Sequence, residues 1–161
     1  MNKVKQILNN DNFKKCMEFI SVAEKDRVFC LHDVEHSLAV ARIAYIINLE
    51  DNLGLDKELI YAMALLHDIG RYFEYKEKLS HHESGVLIAR DILREVGFSE
   101  SDISLICDAI ACHKNKSDET SDNTVRNLLY KADKLSRNCF MCKSYKECYW
   151  DADMKNDTVI I

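Results

Sequence analysis

The amino-acid sequence predicts an all-α fold of six or seven helices in a single domain. Apolar residues recur at the helical period along most of the chain, and alternation of the strand type is confined to a short DTVII at the C-terminus. Four glycines and no proline occur in 161 residues, where average usage would give about 19 of the two together. That scarcity excludes a turn-dense β-sandwich, a collagen-like repeat and a Pro-rich disordered chain. The length suits one ordinary domain.

The elements follow in order. Asp11 is placed to cap a helix carrying Phe13, Met17 and Ile20. Asp33 is placed to cap a long one reaching Glu50, with Val40, Ile43 and Ile47 on one face. Asp56 precedes ELIYAMALLHDIG, which Gly70 can terminate. Residues 71–79 read as a loop or short turn. Ser80 and Glu83 have the spacing of a capping box, starting a helix at His81 that ends near Gly97. Ser99 or Ser101 starts the next, which runs through His113. KNKSDETSDN reads as a polar loop, VRNLLYKADKLS as a helix, and the Cys-rich tail as a short helix plus irregular chain.

Net charge is −5 with 30% charged residues. General electrostatic attraction to a nucleic-acid polymer or an anionic membrane is therefore not expected. No apolar run approaches the roughly 18 residues of a membrane span, and the N-terminus lacks the apolar centre of a signal peptide. Seven cysteines, an odd number without a secretion signal, read as reduced thiols or metal ligands in a cytoplasmic protein.

Chemistry enters through the apolar stripes. His36 lies on the stripe of Val40, Ile43 and Ile47. His67 follows Ile60, Met63 and Ala64, and His81 aligns with Gly85, Ile88 and Ile92. His113 continues Ile103, Ile106 and Ile110, and Asp133 extends Val125 and Leu129. Five helices thus carry a His or Asp on the face due for burial. One such residue is an ordinary hydrogen-bonded core group. Several converging from different helices are hard to satisfy among themselves, and a buried carboxylate needs a partner. A metal ion resolves this, because imidazole nitrogen and carboxylate oxygen are its ligands. His67 and Asp68 are adjacent, so both reach one ion only if it lies over the helix end.

The segments EHSLAVARIA around His36, ALLHDIGRYFE around His67 and Asp68, and KADKLSR around Asp133 resemble the HD-domain metal-dependent phosphohydrolase superfamily. The resemblance runs from about Phe29 to Arg137. It implies a helical HD-type domain over residues 1–137, with residues 138–161 as a Cys-rich tail packed on it. It also implies that His36, His67, Asp68 and Asp133 are metal ligands. The binuclear branch of the family adds two histidines, matched by His81 in HHESG and His113 in AIACHKN. By that resemblance His36, His67 and Asp133 hold one ion, and Asp68 bridges to a second held by His81 and His113. His82 competes with His81 for this place, and His32, one turn before His36, reads as a supporting residue. There is no GYP motif after His113, and the Ile-Gly-Arg that follows His67-Asp68 lacks the glutamate another branch places there, so two known branches are disfavoured.

The activity implied is hydrolysis of a phosphoester or phosphoanhydride, with a nucleotide as the expected small-molecule substrate. One or two divalent ions would activate the water, with mixed ligation favouring Fe, Mn, Ni or Zn over Mg. Asp68 and Arg71 are the catalytic candidates, with Lys114, Lys131 and Lys134 as further phosphate contacts. A noncatalytic metal- or nucleotide-binding sensor on the same fold is the alternative. Cys139, Cys142 and Cys148 form C-x2-C-x5-C. They read either as small core residues or as ligands of a structural metal, with the fourth ligand among Cys16, Cys30, Cys107 and Cys112. The sequence is silent on oligomeric state.

Overall fold

Short polar side chains set the helix starts. The computed structural model describes residues 1–112 and 124–159, and its helical class is the one the periodicity predicts. The helices are α1 (Asn2–Asn9), α2 (Asp11–Ala23), α3 (Val34–Glu50), α4 (Lys57–Leu66), α5 (Arg71–Glu77), α6 (His81–Glu95), α7 (Glu100–Cys112) and α8 (Thr124–Leu135). Two single 3-10 turns, at Cys139–Met141 and Ala152–Met154, follow in the tail, and no strand occurs among the described residues.

Asp33 Oδ1 accepts the His36 amide at 2.8 Å, and Asp56 Oδ1 accepts those of Glu58 and Leu59, as their positions predict. Ser99 Oγ accepts the Asp102 amide at 3.2 Å. For α2 the cap is Asn10 and not Asp11, because Asn10 carries the extended backbone that aims its Oδ1 at the Asn12 and Phe13 amides. The Ser80–Glu83 capping box does not form: Ser80 makes no side-chain cap bond. Residues 71–77, read as loop, form α5, a helix too short for its period to stand out. The helix α1 adds a further element, burying Val4 and Ile7.

Stops are equally local. After α6, Gly97 takes a left-handed φ of 78°. The Phe98 amide then reaches the Leu93 carbonyl and the Gly97 amide that of Arg94, a Schellman ending. Asn52 ends α3 in the same way at φ 52°.

The helix α4 is apolar almost all round and lies at the centre, with Leu59, Ile60, Met63, Leu65 and Leu66 buried. Packed around it are α1, α3, α6 and α7. Outside these, α8 lies on α3 and α7, and α5 lies between α2 and α6. No helix of the described residues is long and apolar enough to cross a membrane.

Candidate metal centre

The site forms where the start of α3, the turn after α4 and the end of α8 meet. His36 stands in the first turn of α3, fixed by the Asp33 cap. His67 and Asp68 follow the last residue of α4, in the turn 67–70 that leads into α5. Because the helix has ended, these adjacent residues face one point. Asp133 comes from the last turn of α8. All four are buried.

Ligand atoms of His36, His67 and Asp133 lie within 4.8 Å of one another, the one such group of three or more among the described residues. His36 Nε2 is 3.2 Å from Asp133 Oδ1 and 3.8 Å from Asp68 Oδ2. His67 Nε2 is 3.0 Å from Asp68 Oδ2 and 3.8 Å from Asp133 Oδ1.

Hydrogen bonds fix both ring tautomers. His67 Nδ1 is 2.7 Å from the Ala64 carbonyl, which can only accept, so Nδ1 carries the proton. Ser136 Oγ donates to the Asp133 carbonyl at 2.7 Å. It therefore accepts from His36 Nδ1–H at 3.2 Å. Both Nε2 atoms thus turn toward carboxylate oxygens, so that an ion among them would replace the proton on His67 and the Arg137 bond on His36. These residues fit a divalent metal ion, with nitrogen and oxygen donors in the mixture that suits Zn, Fe, Mn or Ni.

Electrostatics agree. Complete burial would depress His67, yet the Asp68 and Asp133 carboxylates raise it above the ordinary histidine range. Burial pushes His36 down to about 4, opposed only in part by Asp133. Burial would raise Asp133, but the His36 bond and the charges of His67, Arg137 and Lys134 hold it well below the usual carboxylate range.

Cations ring the carboxylates. Arg71 Nε donates to Asp68 Oδ1 at 2.9 Å and its Nη1 to Glu74 Oε2 at 3.2 Å. Arg137 Nη2 donates to His36 Nε2 at 3.0 Å and to Asp133 Oδ1 at 3.3 Å. Ligation at His36 Nε2 therefore requires Arg137 to release that bond. Lys134 Nζ meets Asp133 Oδ2 at 3.2 Å, while Lys131 is exposed. His81 is buried and joined to this ring through Glu74, with Nδ1 3.1 Å from Glu74 Oε1. His82 is less buried and packs its ring on that of His81. His113 and Lys114 lie outside the described residues.

Behind His36 lies a group that the sequence did not single out. Glu24 accepts the His32 amide at 2.8 Å and faces His32 Nδ1 at 2.6 Å. Tyr75 Oη donates to the same carboxylate at 2.5 Å. Burial alone would raise Glu24, but these bonds bring it down to about 2. The His32 ring stands edge-on to that of His36, 6.0 Å between centres. No sequence signal marks Glu24, which falls in a polar run at the end of α2. Ser136 and Arg137 lie inside the KADKLSR segment, three and four residues after Asp133.

Comparison with known proteins gives the class. The HD domain family matches residues 33–138, from the cap of α3 to just past α8. A crystal structure of a predicted HD superfamily hydrolase from an uncultured Thermotogales bacterium superposes with a TM-score of 0.61 at 25% identity. It covers 88% of this chain and 79% of that one. The chain belongs to the HD domain family. An uncharacterized protein of Clostridium beijerinckii is 41% identical over 97% of both chains. Ribonuclease Y of Lactobacillus gasseri is 32% identical over 103 residues, which are 64% of this chain and 17% of that enzyme.

Proposed function

We propose that this protein is a cytoplasmic, metal-dependent phosphohydrolase that cleaves a phosphoester or phosphoanhydride bond of a small nucleotide. The observation that carries the reading is the convergence of His36 Nε2, His67 Nε2 and Asp133 Oδ1 within 4.8 Å, on a member of the HD domain family. The solved relative described as a predicted HD superfamily hydrolase supports it.

In this reading His36, His67 and Asp133 would hold a divalent ion, and Asp68, His81 and His113 are the residues that would hold a second. Such an ion lowers the pKa of water toward about 7 and so supplies the nucleophile at neutral pH. Asp68 accepts the proton of the attacking water through Oδ2. Arg71, forked between Asp68 and Glu74, is the positioning residue for that carboxylate, and its charge is placed to meet a phosphate oxygen. Burial of the cluster keeps bulk water from competing for these charges.

A second reading comes from the similarity to ribonuclease Y, whose name describes cleavage of RNA. On that reading the scissile phosphodiester belongs to a short RNA strand. Chain reconstituted with manganese, assayed against nucleoside mono-, di- and triphosphates, dinucleotides and a short oligoribonucleotide, separates the two. The nucleotide reading expects turnover of mononucleotides, lost in Asp133→Ala. Turnover of the oligoribonucleotide alone selects the second reading. Ligand binding without turnover on any substrate selects a sensor.

A further inference from the structure

Four of the seven cysteines surround one cavity. Cys30, from the loop before α3, and Cys139, Cys142 and Cys148, from the tail, all line a cavity of about 370 Å³. None of the four is in a disulfide, and the other three cysteines do not line this space. The tail is tied down over it. Ser144 Oγ donates to the Val28 carbonyl at 2.7 Å, and Asn156 Nδ2 to the carbonyls of Lys134 and Arg137 at 2.8 Å each. Arg27 Nε donates to the Cys30 carbonyl at 2.9 Å and shapes the loop that presents it. The structure thus supplies the fourth cysteine that C-x2-C-x5-C lacks, 109 residues before Cys139 in sequence number.

We propose that Cys30, Cys139, Cys142 and Cys148 hold a four-iron, four-sulfide cluster. A single zinc would need the four sulfurs drawn close together. Four thiolates around one zinc, at about 2.3 Å each, lie about 3.8 Å apart. No three of these sulfurs gather even within 4.8 Å, although all four face one cavity. A cubane cluster suits four cysteines facing one space of about 370 Å³, because each thiolate binds a different iron across an inorganic core. Its charge is also provided for. With four thiolates the cluster is anionic, and Arg27, Arg137, Lys143 and Lys155 line the same space. Two ferrous ions, two ferric ions and four sulfides make the core with no net change of oxidation state, and its binding releases the four thiol protons. Arg137 also reaches His36 and Asp133, so the cluster would stand next to the candidate metal centre.

The test is anaerobic reconstitution of the full chain with equal ferrous and ferric iron and sulfide, followed by visible absorption and assay of acid-labile sulfide. Sulfide is decisive, because a histidine–aspartate centre binds iron without it, and it is read without any substrate. The expected result is a brown protein with about four labile sulfides per chain. Cys30→Ser and Cys148→Ser, with folding checked by circular dichroism, should fall to background. Cys112→Ser and His67→Ala should keep full sulfide. One zinc per chain without labile sulfide, or a wild-type chain that takes up no sulfide, overturns the proposal whatever the variants do. Full sulfide in folded Cys30→Ser overturns it as well.

Discussion

Gly70 and Gly85 touch backbone to backbone: a Cβ added at Gly70 would fall 2.5 Å from the Gly85 nitrogen and 2.7 Å from its Cα. This contact seats the start of α6, and with it His81, on the turn that carries His67 and Asp68. The relation is one-sided. A Cβ at Gly85 would meet Gly70 and Ile110 no closer than 3.4 Å, which is ordinary contact. Gly70→Ala should therefore destabilise by about 3 kcal/mol or more, since backbone cannot step aside as a side chain can. Gly85→Ala should stay within about 1 kcal/mol of wild type, on the stabilising side, because glycine weakens a helix interior. Urea unfolding of both variants checks this, and equal losses would contradict the geometry.

Metal should stabilise the folded chain. At a hundredfold excess over Kd a native-state ligand adds about 2.7 kcal/mol, or about 5–10 °C in Tm for a domain of this size. Manganese or zinc should raise Tm by that order in wild type and not in His67→Ala. An equal rise in the variant would place the bound ion elsewhere.

Asp68→Asn separates chemistry from metal retention. The amide keeps the shape but loses the charge that accepts the proton, so turnover should drop by at least about a hundredfold. Binding of one ion through His36, His67 and Asp133 should persist. The metal-free variant should also be less stable than wild type, because the mostly buried Arg71 loses its partner carboxylate. Wild-type turnover at full metal content would remove Asp68 from the mechanism.

Glu24 sets part of the acid limb of stability. Its folded pKa is depressed from 4.5 to about 2, so its contribution is complete above pH 4.5 and is lost as pH falls toward 2. Glu24→Gln has no such proton to take up. Across this window wild-type unfolding free energy should fall more steeply than that of the variant, as denaturant titrations at stepped pH would read. Parallel curves would mean that Glu24 is not the linked group.

Ile106→Ala is the packing control. Ile106 is fully buried in α7, and its truncation should cost roughly 2–5 kcal/mol through the cavity left behind. Activity per folded molecule should remain near wild type, measured below the variant's melting range. A loss of turnover matching that of Asp68→Asn would mean that the core and the site are not separable.

The linear pattern of residues settles the helical class, the Asp33 and Asp56 caps, and the burial of His36, His67, His81 and Asp133 on apolar stripes. These are local matters, fixed by periodicity and by short side chains near exposed amides. Short helices escaped it: α5 has seven residues, too few for a period to register. Which buried faces meet is a matter of three-dimensional packing. It brought Glu24 onto His32 and Tyr75 onto Glu24, set Arg137 between His36 and Asp133, and placed Cys30 beside the tail cysteines. Periodicity tells which side of a helix leaves water. It carries no term for the partner helix, because that choice rests on close packing between residues far apart in the chain, where a single missing Cβ, as at Gly70, fixes how near two backbones can come.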